Sequence, residues 1–232
     1  MSVIVPSLNE EAYVAKTLES IANQRTNFDY DVIVCDGGSK DKTVRIAEKY
    51  AKVVICPIRN KATQMNYAAD KTKGDILVFI DADAILPENY LQRMYELFKN
   101  DDGLLACGTW FKFLEKGFKI RFAELCMNFY LGFLKNLLGS PELSGSNLCV
   151  RRDAFYEVGG FKDVPSEDTE FSIALRELTK GKKAGKIRYK RNPKVLVSAR
   201  RIEKMGFVNT FVYHIQNERK TVALRKNLEC RE

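Results

Sequence analysis

The sequence predicts a single α/β domain with a mostly parallel central sheet flanked by helices. Two observations lead to this expectation. The chain has 232 residues, of which 45% are hydrophobic and 29% charged, and this is ordinary composition for one globular domain. Short β-branched runs also alternate with amphipathic segments, and crossovers of that kind give parallel strand pairing. The composition excludes a disordered chain and a many-pass membrane protein.

Apolar runs and amphipathic segments alternate through the first hundred residues. We expect strands at residues 3–5, 32–34, 53–55 and 76–80, because each is a short apolar run of the kind buried in parallel sheets. Apolar residues then recur at helical spacing in three places: Val14, Leu18 and Ile21; Ala62, Met65 and Ala69; Leu91, Met94, Tyr95 and Phe98. Ligands of such sheets bind beyond the carboxyl ends of the strands, so we expect the functional residues there.

The second half of the chain is less regular and carries the positive charge. We expect a strand at 104–113, a helix around 118–138, a glycine-rich turn at 144–147 and a helix from about 167 to 178, before a basic segment and a helical tail. The net charge is +8 at pH 7, but residues 1–100 hold 13 basic and 14 acidic side chains, which leaves 25 and 16 for the rest. This excess favours a polyanionic partner: a phosphorylated ligand, an anionic membrane or nucleic acid.

The cysteines and the apolar stretches bear on location. The six cysteines form no C-x-x-C pair and no Cys/His cluster, so we expect reduced core thiols rather than a zinc site or disulfides. The longest apolar-leaning stretch, 125–138, falls short of the roughly 20 residues that span a bilayer. The chain also opens on a strand-like run rather than a signal peptide. We therefore expect a cytoplasmic protein without a transmembrane helix.

Two aspartates follow the fourth predicted strand. Asp81 and Asp83 are two residues apart, so both side chains point to the same side while the strand geometry persists. Carboxylates in this number suit Mg²⁺ or Mn²⁺, with diphosphate oxygens completing the coordination shell. A solvated turn after a buried strand is the alternative interpretation.

Carboxylates at two other places are candidates for the same crevice. Asp36 ends the second predicted strand and could accept from a nucleotide base, while Ser39 is expected to cap a helix that begins near Lys40. Glu167 and Asp168 open the helix predicted from about residue 167, where acidic side chains favour the helix dipole. The functional alternative for this pair is a carboxylate that takes a proton from an acceptor hydroxyl.

The motifs of several other enzyme classes are absent. Residues 181–186 have the wrong spacing for a Walker A loop, and the sequence holds no dinucleotide fingerprint. His214 is the single histidine and has no Gly-x-Ser-x-Gly elbow to accompany it, which argues against a serine hydrolase. We expect His214 on one face of the last helix, with metal ligation as the alternative.

Five ordered segments carry a resemblance to a known family. They are Val3–Glu11, Val34–Thr43, Gly74–Asp83, Arg151–Phe161 and Glu167-Asp168. Together they resemble the family 2 glycosyltransferases with the GT-A fold, over nearly the whole chain. Residues 61–66 and the Ser-Ala-Arg-Arg motif at 198–201 are similar to a small bacterial and archaeal subgroup of that family.

The resemblance implies a nucleotide-sugar site with a divalent metal. The base and ribose pocket and its surroundings would include Pro6, Glu10, Asp36 and Lys61. Asp81 and Asp83 would be the family's D-x-D, with Asp83 the more direct ligand of Mg²⁺ or Mn²⁺ and Asp81 also facing the donor. Within one domain, 1–232, residues 1–100 would bind the donor, and residues 101–232, with their basic helical tail, would bind the acceptor.

The resemblance also implies the residues that carry the transfer. Asp168 would be the general base and Glu167 its structural partner. Arg200 and Arg201 would stabilise charge on the departing nucleoside diphosphate. In-line attack by one acceptor oxygen, without a covalent intermediate, inverts the anomeric configuration. The acceptor is expected to be a hydroxyl or a lipid phosphate, and an ionised phosphate needs no base.

Two other functions are compatible with parts of the pattern. A metal-dependent nucleotidyltransferase would use the same paired carboxylates but release pyrophosphate. A non-catalytic basic module could bind nucleic acid or an anionic membrane through the segment 180–201 and the tail. Because that tract has few interleaved aromatic residues, base stacking would be sparse, and we expect no nucleic-acid partner.

The stretch from Phe118 to Leu138 combines many apolar residues with Lys119, Arg121 and Lys135. One interpretation is a packed core helix or the interface of a homodimer. The other is contact with the surface of an anionic membrane, which would place the protein peripherally at the inner face of the membrane, beside a lipid-linked acceptor.

Overall fold

Eight strands form one sheet in the computed structural model, which describes residues 1–135, 143–181 and 185–229. The strands are β1 Ser2–Ser7, β2 Asp31–Asp36, β3 Lys52–Ile55, β4 Ile76–Ile80, β5 Ala84–Ile85, β6 Leu104–Phe113, β7 Asn147–Arg151 and β8 Lys186–Val197. Their order across the sheet is β3-β2-β1-β4-β7-β6-β8-β5. The four strands expected in the first hundred residues are confirmed.

The first four strands run parallel, and the second half of the sheet is joined to them by an antiparallel strand. β1 pairs with β2 and β4, and β2 with β3, all in parallel. β7 lies antiparallel between β4 and β6. β6 then pairs with β8 in parallel, and β5 pairs with β8 antiparallel. Because β1, β2 and β4 are parallel neighbours, their carboxyl ends meet at one edge of the sheet.

Helices cover both faces of this sheet. They are α1 Val14–Ala22, α2 Thr43–Ala47, α3 Lys61–Ala69, α4 Tyr90–Lys99, α5 Phe118–Phe129, α6 Arg152–Glu157, α7 Glu167–Gly181, α8 Arg200–Met205 and α9 Phe207–Glu229. The apolar faces expected for α1 and α3 are buried, as are Leu91, Met94 and Phe98 of α4. Tyr95 is half-buried and stacks on Phe28 with ring centroids 4.2 Å apart.

The period of two along the strands divides the core into two layers. Val3 and Val5 of β1 pack with α1 and α4 on one face of the sheet. Ile4 packs on the other face, together with Met65 of α3 and Phe171 of α7. This alternation is the reason why a run of consecutive apolar residues serves a strand that is covered on both sides.

The structure differs from the sequence expectations in the second half. β7 follows the glycine-rich turn without having been predicted, and β8 includes the basic residues 186–194, whose charges had suggested a solvated segment. The helix expected over 118–138 is α5 to Phe129, followed by a π-helical turn at Tyr130–Leu134. Residues 136–138 lie outside the described residues. Within the described part of the chain, no helix combines the length and apolar character needed to cross a membrane.

Candidate active site

A cavity of about 550 Å³ lies beyond the carboxyl ends of β1 and β4. Loop residues after these two strands form one wall, and the first turns of α7 and α8 form the opposite side. Residues from α5 and α9 close the cavity at its far end. The site residues predicted from the sequence that line it are Pro6, Glu10, Lys61, Asp81, Asp83, Glu167, Asp168, Arg200 and Arg201. The fold therefore brings nine of the ten predicted site residues to one place.

Each carboxylate of the Asp81 and Asp83 pair faces a cation from another part of the chain. Asp81 Oδ1 lies 2.6 Å from Lys61 Nζ, and Asp83 Oδ2 lies 3.3 Å from Arg200 Nε. Burial and the neighbouring charge of Asp81 raise the pKa of Asp83 to about 6, against the opposing effect of Arg200. The pair is thus a concentration of negative charge that requires cations to balance it.

Arg200 connects the donor-side loops to the second half of the chain. Its guanidinium donates two hydrogen bonds of 2.6 Å to the two oxygens of Glu10, the bidentate geometry that a planar fork provides. It also lies over the Tyr13 ring, 5.3 Å from the centroid. Arg201, the next residue, points elsewhere and stacks over Tyr213 of α9 at 5.6 Å. The two arginines of the motif therefore have different surroundings.

Lys61 bridges the two acidic pairs. Besides its contact with Asp81, its Nζ lies 3.6 Å from Glu167 Oε1. Burial opposes the charged form, but the combined negative charges of Asp81 and Glu167 raise the pKa of Lys61 above its ordinary value. Gly145 leaves room for this ammonium group, since a Cβ there would lie 3.2 Å from Nζ. Sequence analysis placed Lys61 with the donor but did not predict the link to Glu167.

Asp168 is held by neutral donors rather than by a cation. Its Oδ2 accepts from the backbone N–H of Gly145 at 3.2 Å, and its Oδ1 accepts from Ser166 Oγ at 2.8 Å and from the backbone N–H of Thr169 at 2.9 Å. Burial, and the negative charge of Asp168, raise the pKa of Glu167, while Lys61 opposes this shift. The start of α7 thus presents one carboxylate oriented by hydrogen bonds and a second one facing Lys61.

Asp36 is the one predicted site residue that does not line the cavity. Its carboxylate is buried and accepts four hydrogen bonds: from the backbone N–H groups of Gly38 and Ser39, and from the hydroxyls of Ser7 and Ser39. Ser39 therefore does not cap α2, which begins at Thr43 without a side-chain cap; that expectation was wrong because Asp36 binds the same hydroxyl. In this arrangement Asp36 shapes the loops after β1 and β2.

Aromatic residues on the far wall were not foreseen from the sequence. Tyr130, Phe211, Tyr213 and His214 line the cavity, and the Tyr130 and Phe211 rings pack with centroids 5.6 Å apart. Their spacing suits an ordinary helix face, so only the position of α9 over the sheet edge shows that they face the cavity. His214 lies on α9, as expected.

The family of the chain follows from comparison with known proteins. The model of glycosyl transferase family 2 matches residues 2–159, which is more than half of the chain. The protein belongs to glycosyl transferase family 2. A curated relative is the beta-monoglucosyldiacylglycerol synthase of Trichormus variabilis, 28% identical over 190 residues, which are 75% of this chain and 41% of the relative. Another is the uncharacterized glycosyltransferase YfnE of Bacillus subtilis, 28% identical over 53% of this chain and 33% of that protein.

Solved structures confirm the GT-A fold. The mannosyltransferase PcManGT from Pyrobaculum calidifontis, solved with GDP-Man and Mn²⁺, superposes with a TM-score of 0.74 at 19% identity, covering 97% of this chain and 64% of that one. Glucosyl-3-phosphoglycerate synthase from Mycobacterium tuberculosis, solved with Mn²⁺, UDP and phosphoglyceric acid, gives 0.63 at 21% identity, covering 94% and 78%. The chain spans about a third to two fifths of the length of the first curated relatives. Assignment to the Ser-Ala-Arg-Arg subgroup stays a prediction.

The donor set of this family 2 member fits a divalent cation. Asp81 and Asp83 offer only oxygen ligands, the type that Mg²⁺ and Mn²⁺ prefer, and in this structure Lys61 and Arg200 balance their charge. Among the described residues, no group of three or more His, Cys, Asp or Glu side chains is arranged to hold a metal. An ion here would accordingly depend on ligand oxygens from the bound donor as well as on the two aspartates.

Proposed function

We propose that the chain is an inverting glycosyltransferase that moves a sugar from a UDP- or GDP-sugar to a hydroxyl or lipid-phosphate acceptor, with the help of Mg²⁺ or Mn²⁺. One observation carries this proposal. The cavity sets the carboxylate pair after β4 against the carboxylate pair at the start of α7, and Lys61 contacts both. A donor diphosphate on the first pair and an acceptor on the second would meet between them.

The donor is assigned to the first hundred residues. Pro6 and Glu10 follow β1, and Asp81 and Asp83 follow β4, all at the edge where the parallel strands end. Nucleotides bind at this edge in open α/β sheets. The solved neighbours that hold GDP-Man, or UDP-GlcNAc in Staphylococcus aureus TarS, support a nucleotide-sugar as the donor class. Residues 101–232 would supply the acceptor side.

Charge develops on the nucleoside diphosphate as the bond to the sugar breaks. The divalent cation supplies Lewis-acid stabilisation of that charge when bound. Arg200 and Arg201 line the same cavity and add fixed positive charge, which is most effective where it is oriented before the reaction begins. The bidentate contact with Glu10 orients Arg200 in this way.

Asp168 is the residue to which we assign the acceptor proton. Three neutral donors fix its carboxylate, while Glu167 is engaged with Lys61. An acceptor hydroxyl within hydrogen-bond reach of Asp168 would lose its proton to that carboxylate as the new glycosidic bond forms. With an ionised lipid phosphate as the acceptor, the same carboxylate would have no proton to remove.

A ligand panel tests the proposed function. Thermal unfolding is measured with UDP-, GDP-, dTDP- and CDP-sugars, each with and without Mn²⁺, because a ligand of the folded state raises the unfolding temperature. We expect one nucleotide class to stabilise the chain, and to do so only with the metal. The preferred donor is then incubated with acceptors, and release of the nucleoside diphosphate is measured. Release of pyrophosphate would instead identify a nucleotidyltransferase, and stabilisation by DNA alone would identify a basic binding module.

A further inference from the structure

The outer face of α5 is apolar and exposed. Phe118, Phe122 and Leu125 are spaced by four and three residues, so they lie on one side of the helix. Their exposed fractions are 86%, 52% and 63%. The inner side of the same helix packs inward through Ala123 and Asn128, which are buried. Because α5 is apolar beyond what its own packing uses, its outer face has the character of an interaction surface.

The exposed face continues onto the start of α9. The Phe122 ring lies 6.2 Å from the ring of Phe207, and the next residue, Val208, is 69% exposed. We refer to the side chains of Phe118, Phe122, Leu125 and Val208 as the α5 patch. It combines two helices that also line the cavity from their inner sides, through Met127 and Phe211 among others.

Basic side chains surround the α5 patch. The segments 116–129 and 201–214 contain five basic and two acidic residues. All five basic side chains are exposed: Lys116, Lys119, Arg121, Arg201 and Lys204. Of the two acids, Glu124 is bound by Arg121 and by the backbone N–H of Phe113, and Glu203 is exposed. The surroundings of the patch therefore have a net positive charge.

We propose that the α5 patch docks the protein on the surface of an anionic lipid bilayer. Exposed Phe and Leu side chains bind at the boundary between headgroups and acyl chains, and nearby Lys and Arg are attracted to lipid phosphates. A second copy of the chain would place the same basic side chains against each other across a symmetric interface, and like charges disfavour that contact. Docking would bring the cavity beside the lipid surface. This surface assignment does not depend on the reaction proposed above.

Vesicle sedimentation without any donor tests the proposal. We expect the full chain to bind vesicles of phosphatidylcholine mixed with phosphatidylglycerol, and to bind phosphatidylcholine vesicles much more weakly. The double variant Phe118→Ser with Leu125→Ser should lower the partition coefficient at least about tenfold, because two exposed apolar side chains no longer reach the acyl region. Lys116→Glu with Lys119→Glu should cause a similar loss, since each basic residue near the surface is worth about fivefold.

A matched control and a size measurement keep the result clear. Ile55→Ser removes an apolar side chain of similar exposure, 53%, from β3 at the opposite edge of the sheet, and should bind vesicles like the wild type. Thermal unfolding shows whether each variant is folded. Equal vesicle binding by the wild type and both double variants would overturn the proposal, as would no binding by the wild type. A wild-type dimer that the serine variant dissociates, with no vesicle binding, would show instead that the patch joins two copies.

Discussion

The two acidic walls of the cavity differ in what holds their carboxylates. Asp81 and Asp83 on the β4 wall face Lys61 and Arg200, two mobile cationic side chains from distant parts of the chain. Asp168 on the α7 wall is fixed by neutral hydrogen-bond donors. Carboxylates balanced by side-chain cations can exchange those partners for a metal ion, whereas a carboxylate held by neutral donors keeps its orientation and is free to accept a proton. The difference predicts that substitutions on the two walls affect different steps.

The largest expected effect lies on the α7 wall. Asp168→Asn should slow transfer to a hydroxyl acceptor by on the order of a hundredfold or more, because the proton acceptor is lost. Donor affinity should stay near the wild-type value. The amide can replace only one of the carboxylate oxygens, and its NH₂ group would face the Gly145 N–H, so we expect a stability loss of about 1 kcal/mol. Initial rates and donor titrations on the same samples measure both.

Glu167→Gln is the control for that prediction. Its side chain faces Lys61 rather than neutral donors, so the loss of rate should be smaller than for Asp168→Asn. If Glu167→Gln abolishes transfer while Asp168→Asn retains it, the base has been assigned to the wrong carboxylate. If both variants remain fully active, the acceptor is an ionised phosphate and the α7 wall has no role as a base.

The two arginines should affect the rate more than donor binding. Arg200→Ala with Arg201→Ala is expected to lower kcat by roughly tenfold to a hundredfold, because the charge that they stabilise grows toward the transition state. Donor affinity should fall by less. Single substitutions distinguish the two side chains, and Arg200→Ala should cost more, since only Arg200 contacts Glu10 and Asp83. Equal losses in kcat and donor affinity would contradict this role.

Lys61 belongs to both walls and tests whether they are separate. Lys61→Met should weaken donor binding on the order of tenfold, the scale of one charged hydrogen bond, while Lys61→Arg should retain most of the affinity because it keeps the charge. Calorimetric titration of donor with Mn²⁺ gives both values. Tighter donor binding by the methionine variant would mean that Lys61 competes with the metal instead of assisting the donor.

The smallest expected effect concerns the helix that carries Lys61. Asn60 Oδ1 accepts from the backbone N–H of Thr63 at 2.9 Å and so caps α3. Asn60→Ala should lower stability by about 1 kcal/mol, with little change in kcat. Chemical denaturation measures the first, and a large fall in kcat would show that α3 positions the reacting groups more directly than proposed.

Much of the donor side was open to prediction because its signals are local. Each strand from β1 to β4 is a continuous apolar run, and Asp81 and Asp83 directly follow one of them. Position in the sequence therefore gave their position at the sheet edge. The buried network around Asp36 was not predictable, since it needs two loops to meet: Ser7 follows β1 and Ser39 follows β2.

The acceptor side depends on contacts between distant segments. Arg200 and Glu10 are 190 residues apart, and neither position carries a local signal for the other. β8 was missed because its positive charges resemble a solvated loop, yet it pairs with β6 over most of its length. The exposure of Phe118 and Leu125 likewise became known only once the packing of α5 was known.

One calorimetric measurement tests the central claim that the β4 wall binds the donor through a metal. UDP and GDP are titrated into the wild type and into Asp83→Ala, each with and without Mn²⁺, and thermal unfolding confirms that the variant is folded. The account predicts metal-dependent nucleotide binding by the wild type and a severe loss of that affinity in the variant. Undiminished, metal-independent binding by Asp83→Ala would contradict it.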